Sequence, residues 1–264
     1  MLAGRRVIEA QNITVHYGGG SIRRTAKVTA LEDVSLSVEA GACHGLVGES
    51  GSGKSTLGRV LLGLTAPNRG RVAIAGFDPA RLARRQRPAF CRSVQCVFQD
   101  SGTVLNPRLS VGRSVREGLD IQRCGTRADR DAAVAALFER VGLSQTLLER
   151  FPHQLSGGQR QRVNIARALS VSPKVLVADE PLSALDVSVQ AQILDLLHGI
   201  QRESGLTIVL ITHDLKVAQE ICDTVTVLEA GRTVEHGRAD DVFANPKHST
   251  TRRLINSLPT PKFA

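Results

Sequence analysis

Apolar and polar residues alternate in two stretches near the start of the chain, residues 7–17 and residues 34–38. Successive side chains of a β-strand point to opposite faces, so alternation is typical of a strand with one buried face and one exposed face. The two stretches therefore predict half-exposed strands of an antiparallel sheet.

Farther along the chain, short apolar runs of strand length alternate with segments of helical periodicity. The predicted strands are residues 42–47, 72–74, 94–98, 175–178, 207–211, 225–228 and 233–235, and the predicted helices are residues 54–64, 189–201, 215–222 and 240–258. Strands that alternate with helices predict a mostly parallel sheet with helices on its faces. The predicted fold class is therefore α/β.

The alternation of strands and helices stops between residues 101 and 170, where helical spacing dominates. Residues 128–141 are rich in alanine, and residues 163–169 are again helical. We interpret this region as an inserted α-helical subdomain. The single domain of 264 residues would then comprise an α/β core with its antiparallel sheet (about 1–100 and 171–240), the helical subdomain (about 101–170) and a C-terminal tail (about 241–264).

The apolar segments and the cysteines of the sequence indicate the cellular compartment of the protein. No apolar run approaches the roughly 20 residues that span a bilayer, and residues 1–6 lack the apolar segment of a signal peptide. The five cysteines have no metal-ligand spacing, which favours reduced thiols. We therefore expect a cytoplasmic protein that meets a membrane only through a partner.

The net charge of +9 leaves three alternatives open: nucleic-acid binding, proximity to anionic lipid headgroups, and a solvated basic surface. Aromatic residues are only 3% of the chain and tryptophan is absent, so few side chains could stack on single-stranded bases. No nucleic-acid partner is expected.

The sequence GESGSGKS at residues 48–55 fits the phosphate-binding P-loop, with a predicted strand before it and a predicted helix after it. Glycines allow backbone N–H groups to turn toward phosphates, and the N-terminus of the following helix favours negative charge. Lys54 is expected to reach the β- and γ-phosphates, and the Ser55 hydroxyl is expected to bind Mg²⁺.

Asp179 and Glu180 directly follow the apolar strand predicted at residues 175–178. Ligands of open α/β sheets bind at the carboxyl ends of strands. We expect Asp179 to hold Mg²⁺ through water and Glu180 to act as the general base that activates the attacking water.

Three more polar or aromatic residues follow predicted strands. Gln99 could contact the metal or its water, His213 could donate a hydrogen bond to charge that develops on the γ-phosphate, and Tyr17 could stack on adenine. Each residue alone would be an ordinary polar or structural residue, so these interpretations depend on the surrounding motifs.

The run Leu155-Ser156-Gly157-Gly158-Gln159 completes an ordered set of motifs. Together these motifs resemble the ATP-binding subunits of ATP-binding cassette (ABC) transporters, over roughly residues 7–240. Tyr17 is similar to the family's adenine-stacking aromatic residue, residues 48–55 to Walker A, Gln99 to the Q-loop, residues 155–159 to the signature motif, residues 175–179 to Walker B, Glu180 to the catalytic glutamate, residues 183–186 to the D-loop, and His213 to the switch histidine.

The resemblance implies a head-to-tail dimer in which residues 156–158 of one subunit face the γ-phosphate held by the P-loop of the other subunit. ATP would close this dimer and hydrolysis would reopen it. The catalytic residues it implies are Glu180, His213 and Lys54, and the Mg²⁺ site would comprise Ser55, Gln99 and Asp179. The predicted ATP-binding residues are Tyr17, Gly48, Glu49, Ser50, Gly51, Ser52, Gly53, Lys54, Ser55, Thr56, Gln99, Ser156, Gly157, Gly158 and Gln159.

A narrower resemblance to the oligopeptide, dipeptide and nickel importer branch comes from residues 98–100, 105–108, 152–163, 186–192, 245–248, 252–254 and 259. Residues 101–104 and Ser249-Thr250 depart from that branch's pattern, and the short tail favours the nickel or metal-chelate type. The resemblance implies a second ATPase subunit, two transmembrane permease subunits and, indirectly, a substrate-binding protein, at the cytoplasmic face of the membrane. The alternative is a soluble ABC ATPase that acts on nucleic acid or ribosomes, or in a non-transport enzyme complex.

Overall fold

The computed structural model describes residues 6–18, 28–98, 104–183 and 185–256. The chain divides into two compact units. The first unit comprises Met1–Ala83 and Thr207–Ala264, and the second unit comprises Arg84–Leu206.

The first unit contains the predicted antiparallel sheet, whose strands are β1 (Arg6–Tyr17), β2 (Val28–Glu39) and β4 (Arg69–Ile74) in the order β2-β1-β4. Ile8, Ala10, Ile13 and Val15 of β1 are buried, and the alternation changes phase between Ala10 and Ile13, where the pairing with β2 shifts register next to Asn12 (φ 53°). The sequence pattern predicts that the second strand starts at residue 34, whereas β2 begins at Val28. Asp33 has a φ of 57° and interrupts the alternation that would have indicated the earlier part of the strand.

Four other strands form the second part of the first unit. Strand β3 (Cys43–Gly48) lies between β7 (Thr207–Thr212) and β8 (Thr224–Glu229) and is parallel to both, and β9 (Arg232–Arg238) is antiparallel to β8. All six residues of β3 and all six of β7 are buried. A strand covered on both faces has a continuous apolar sequence, which explains the uninterrupted runs that predicted these two strands. Helices α1 (Lys54–Leu61) and α7 (Leu215–Ile221) follow β3 and β7.

The prediction of one continuous helix near the C-terminus is wrong. Residues 240–258 do not form a single helix, because the structure has two short helices there, α8 (Ala239–Ala244) and α9 (Ser249–Asn256). Pro246 separates them, since proline has no N–H to continue the helical hydrogen bonds and disfavours helical conformation in the residue before it. The predicted residues 257 and 258 lie outside the described ranges.

The second unit is rich in helices. Its elements are α2 (Arg87–Ser93), β5 (Val94–Val97), α3 (Val111–Ile121), α4 (Arg127–Arg140), α5 (Gly157–Leu169), β6 (Val175–Asp179) and α6 (Val187–Ser204). Strands β5 and β6 are parallel neighbours, and α3 packs against both α4 and α5. The sequence did not predict α2, because Phe90 is its single buried residue and gives no apolar periodicity.

Among the residues that the structure describes, no helix combines the length and the apolar character that a bilayer crossing requires.

Candidate nucleotide-binding site

The P-loop predicted from the sequence connects β3 to α1 in the first unit. Gly48 has a φ of 152°, and a Cβ atom added to it would lie 2.3 Å from the carbonyl oxygen of Leu228 on the neighbouring strand β8. Gly53 has a φ of 106°, and a Cβ atom there would lie 2.7 Å from the carbonyl oxygen of Ala30. Glycine is required at both positions because the backbone of the loop packs directly against neighbouring backbone.

Lys54 is the first residue of α1, and its side chain returns across the loop. Its Nζ donates hydrogen bonds of 2.8 Å to the carbonyl oxygens of Gly48 and Glu49. The residue is only 5% exposed, so the loop encloses a positive charge at the N-terminus of a helix. Gly53 at the N-cap position has no side chain to accept from the first turn. A helix start of this kind suits an anionic ligand, because the first backbone N–H groups lack intrahelical acceptors.

Ser52 is held in the loop by its backbone rather than by its side chain. Its carbonyl oxygen accepts a hydrogen bond of 3.0 Å from the N–H of Gly231, and the carbonyl of Gly231 accepts one of 2.8 Å from the N–H of Glu32. The Ser52 hydroxyl is buried and has no hydrogen-bond partner among the described residues. A buried hydroxyl without a partner is uncommon in folded proteins, and a bound phosphate could supply one.

His213 reaches the same sheet edge as the P-loop. In the parallel pair of β3 and β7, Val47 lies opposite Thr212, so Gly48 and His213 are the next residues of two neighbouring strands. Two hydrogen bonds of 2.9 Å fix the turn that presents the exposed His213: the N–H of Asp214 donates to the Thr212 hydroxyl, and the N–H of Lys216 donates to Asp214 Oδ1. The first unit thus brings the P-loop and His213 together, as expected at the carboxyl ends of parallel strands.

Strand β3, which leads to the P-loop, also carries a buried histidine near its beginning. His44 is fully buried, and its ring contacts the hydroxyls of Thr224 (2.7 Å) and Thr226 (3.0 Å) on β8. Burial, with a smaller contribution from His236, lowers the pKa of His44 to about 3. His44 is therefore neutral at physiological pH, and the strand leading to the P-loop adds no charge to it.

Tyr17 ends β1, opposite Val28 of β2, and 40% of it is exposed. An aromatic ring with this much open surface can stack on a planar ligand.

The second unit positions the two predicted carboxylates. Residues 175–178 of β6 are buried, Asp179 ends the strand half-buried, and Glu180 follows it. Glu180 has a φ of 45°, in the left-handed region that costs a residue other than glycine about 1–2 kcal/mol. Such conformations concentrate at functional sites. Val97 lies opposite Ala178 in the neighbouring strand β5, and Gln99 lies outside the described residues.

The signature run begins helix α5. Ser156 is its N-cap: the Ser156 hydroxyl accepts from the N–H of Gln159 (3.2 Å), and Gln159 Oε1 accepts from the N–H of Ser156 (2.9 Å). The helix therefore begins at Gly157, six residues before the helical stretch predicted at residues 163–169, because the capping box includes both glycines. A Cβ atom on Gly158 would lie 2.7 Å from Cγ1 of Val189 on α6, whereas one on Gly157 would meet nothing closer than 3.5 Å.

Two glutamines that the sequence analysis did not single out support the loop after Glu180. Gln161 Nε2 donates to the carbonyl of Pro181 (2.7 Å), and Gln190 Nε2 donates to the carbonyls of Leu182 (3.2 Å) and Leu185 (2.9 Å). Both glutamines lie in helices, where periodicity marks them only as polar positions. Their partners are determined by tertiary packing, so no local signal identifies this role.

The P-loop connects a buried parallel strand to a helix, and His213 follows the neighbouring strand β7 at the same sheet edge. This arrangement defines a P-loop nucleotide-binding protein of the α/β class. The sequence profile described as ABC transporter matches residues 31–183 of this chain. The chain belongs to the ABC transporter family.

Relatives and solved structures agree with this assignment. The chain is 41% identical over 258 residues to an oligopeptide transport ATP-binding protein (OppF) of Streptococcus mutans, with 97% of this chain and 83% of the relative covered. It is 43% identical over 255 residues to a Brucella ovis protein provisionally named as a peptide import ATP-binding protein, with 97% and 79% covered.

Two solved structures show the same fold. The first is cbiO1 from Clostridium perfringens, part of the ABC transporter complex cbiONQ (TM-score 0.80, 30% identity, 91% of each chain covered). The second is the dimeric post-hydrolysis state of the ATP-binding cassette MJ0796 bound to ADP and Pi (TM-score 0.78, 30% identity, 88% of this chain and 98% of that chain covered). The predicted family and the P-loop ABC ATPase fold are thus confirmed, and the chain is an ATP-binding ATP hydrolase.

Proposed function

We propose that this chain is the ATP-hydrolysing subunit of an ABC importer for peptides. The observation that carries the proposal is its identity of 41–43%, over 97% of its length, to proteins named for oligopeptide transport and peptide import. Nickel or metal chelates, which the sequence suggested as the other cargo of this branch, are the competing substrate class within the same function.

We assign ATP binding in the first unit to residues 48–56 and Tyr17. The enclosed ammonium of Lys54 would leave the two loop carbonyls and bind the β- and γ-phosphates, and the Ser52 hydroxyl would gain a phosphate oxygen as its partner. Tyr17 would stack on the adenine. His213, beside the P-loop at the sheet edge, would donate a hydrogen bond to the γ-phosphate as charge develops there.

Glu180 is assigned as the general base. It would accept a proton from water as the water oxygen bonds to the γ-phosphorus and the bond from phosphorus to the β–γ bridging oxygen breaks, releasing ADP and phosphate. Its left-handed backbone and the glutamine-supported loop after it favour a fixed orientation for this carboxylate.

The side chains assigned to Mg²⁺ suit that ion. The Ser55 hydroxyl, the Asp179 carboxylate and the Gln99 amide offer hard oxygen ligands, and Mg²⁺ in nucleotide sites usually combines one or two such ligands with phosphates and water. When bound, the ion would neutralise charge on the β- and γ-phosphates. Gln159 is assigned to the nucleotide only through the signature motif, since its side chain caps α5.

The working form is assigned as a head-to-tail dimer with a second ATPase subunit, identical or different. Ser156, Gly157 and Gly158 would face the γ-phosphate bound to the other subunit. ATP then stabilises the closed dimer by binding it preferentially, and loss of the γ-phosphate contacts reopens it. The dimeric, ADP- and Pi-bound state of the similar cassette MJ0796 supports this cycle.

A cavity of about 470 Å³ in the second unit is the candidate contact for a permease. Four arginines line it (Arg108, Arg113, Arg116 and Arg127), with Asp131 and Glu149 as the acidic residues of its wall. Asp120 and Asp131 already pair with Arg116. The excess of arginine favours a permease segment that carries acidic side chains. Two transmembrane permeases would hold the chain at the cytoplasmic face of the membrane, and a substrate-binding protein would act through them.

Affinity purification of the chain from native membranes tests this function. We expect two multi-span permease chains and a second ATPase to co-purify, and ATPase activity of the complex to respond to a peptide-loaded binding protein. A response to a nickel chelate and not to peptides would change the cargo. Recovery with ribosomes, nucleic acid or soluble enzymes, without permeases, would contradict the transport role and leave the ATPase chemistry intact.

A further inference from the structure

The P-loop contains a negative charge that its proposed ligand does not favour. Glu49 follows Gly48 directly, and its own backbone carbonyl is one of the two acceptors of Lys54. A carboxylate beside a polyphosphate site repels the ligand, with an energy that depends on distance and on solvent screening. Glu49 therefore needs an opposing charge if the loop is to bind ATP well.

Arg253, in the C-terminal helix α9, supplies that charge. Its Nε donates to Glu49 Oε1 at 3.1 Å, and its Nη2 lies 3.0 Å from the same oxygen. The same Nη2 lies 3.2 Å from Glu229 Oε1. Arg253 and Glu49 are both more than half exposed, so the pair adds little to folding stability. Its effect is expected at the ligand site instead.

The position of Arg253 follows from how α9 is held on the first unit. The Glu235 carboxylate accepts from the backbone N–H groups of Lys247 (2.8 Å) and His248 (3.0 Å), just before the helix. Thr250 and Thr251 are buried on the inner face of α9. These contacts fix the helix, so that Arg253 on its exposed side faces Glu49 across 204 positions of sequence.

The turn after β8, which also contacts Arg253 through Glu229, forms a second connection to the P-loop. Glu229 ends β8, and Gly231, two residues later, donates its N–H to the Ser52 carbonyl. The Thr250 hydroxyl, and then Arg253, lower the pKa of Glu229, while Glu49 and then Glu229 raise the pKa of Arg253. Glu229 and Arg253 are therefore charged at neutral pH, and Arg253 bridges the Glu49 and Glu229 carboxylates.

We propose that Arg253 is a positioning residue for nucleotide binding, which offsets the charge of Glu49 and thereby raises the affinity of the P-loop for ATP. This inference rests on the ATP-binding role proposed for residues 48–56. It assigns to the C-terminal helix a direct electrostatic contact with the nucleotide-binding loop.

Binding of Mg²⁺ with a non-hydrolysable ATP analogue to the purified full chain tests the proposal. Arg253→Ala should weaken binding about threefold to tenfold at low salt, the order expected for loss of one close charge pair. The loss should shrink at about 1 M salt, where the screening length is about 3 Å. In ATPase assays KM should rise while kcat changes little, and Arg253→Lys should retain most of the affinity.

A double-mutant cycle separates this role from general folding effects. The affinity of Glu49→Gln is the reference for the second half of the cycle, and adding Arg253→Ala to Glu49→Gln should cause no further loss. Arg238→Ala removes another arginine whose side chain is more than half exposed and pairs with a carboxylate, that of Asp240, and it should leave binding unchanged. Thermal midpoints should be unchanged in all variants.

Three outcomes would overturn the inference: parent-like binding by Arg253→Ala at low salt, an equal loss in the Glu49→Gln background, or an equal loss in Arg238→Ala. Lys54→Ala identifies which proposal has failed. If Lys54→Ala loses the analogue and Arg253→Ala does not, only the role of Arg253 is wrong. If Lys54→Ala also binds normally, the ATP-binding role of the P-loop is wrong.

Discussion

Helices α1 and α5 begin in opposite ways, although both starts belong to motifs of the proposed ATP cycle. Helix α1 begins after Gly53, which has no side chain to cap it, and Lys54 encloses a positive charge there. Helix α5 begins with a complete capping box, in which Ser156 and Gln159 satisfy one another's backbone N–H groups. The first start is built to receive an anion, and the second is stable without one.

This difference indicates that the two motifs have different roles in nucleotide binding. The uncapped start of α1, where the buried Ser52 hydroxyl meets no hydrogen-bond partner within the described ranges, should gain order and stability when nucleotide binds. The capped start of α5 keeps its shape before and after binding, so it can serve as a rigid surface for nucleotide held by another subunit. Substitutions at the two starts should therefore have different effects on binding, turnover and folding.

The largest effect is expected at Lys54. Lys54→Ala removes the charge enclosed by the P-loop, and ATP turnover should fall by about 100-fold or more, the usual cost of losing one preorganised donor to developing charge. Nucleotide binding should weaken as well. Steady-state ATPase assays and calorimetric titration measure both quantities. The matched control is Lys174→Ala, which removes an exposed lysine of the second unit, and equal activity of the two variants would contradict the assignment.

A smaller effect, on folding stability, is expected at Gly158, and Gly157 beside it provides the matched comparison. Gly158→Ala places a methyl group 2.7 Å from Val189 Cγ1 and should destabilise the protein by about 1–3 kcal/mol. Gly157→Ala meets only an ordinary contact at 3.5 Å and should leave stability nearly unchanged. Urea unfolding midpoints measure this contrast.

The same pair tests the role proposed for the signature run. Turnover should fall in both variants if Gly157 and Gly158 approach the γ-phosphate, because either methyl group would occupy that approach. Full turnover by Gly157→Ala would show that this glycine is not close to the nucleotide.

The smallest effect is expected at the cap of α5. Ser156→Ala removes the N-cap acceptor and should cost about 1 kcal/mol of folding stability, with a fall in Tm of about 2–4 °C. Ser188→Ala, in the first turn of α6 and exposed, is the control and should shift Tm much less. Equal shifts for the two serines would mean that the capping box contributes nothing to the stability of α5.

The sequence predicted the elements whose signals are local. Continuous apolar runs marked β3 and β7 because these strands are covered on both faces, and the glycine spacing marked the P-loop because Gly48 and Gly53 pack against backbone. Pro246 is the local signal for the break in the C-terminal helix, and its effect on the backbone outweighs the apolar spacing on either side of it.

Contacts between distant parts of the chain could not be predicted in this way. The hydrogen bond from Gln161 to Pro181 and the ion pair between Arg253 and Glu49 join residues that neither periodicity nor spacing relates. Each of these side chains has an ordinary helical or loop position in the sequence. Only the folded backbone brings the partners together. The sequence therefore predicted the motifs of the site, but it did not predict the long-range contacts that support them.

In the proposed cycle, ATP closes a dimer of ATPase subunits and hydrolysis through Glu180 reopens it. Light scattering of Glu180→Gln with Mg²⁺ and either ATP or ADP, together with its turnover rate, tests this cycle most directly. We predict a stable dimer with ATP, monomer with ADP, and turnover reduced by about 10²–10⁴-fold. A variant that forms no ATP-dependent dimer, either with itself or with the second ATPase that co-purifies with it, or that hydrolyses ATP like the parent chain, would contradict this cycle.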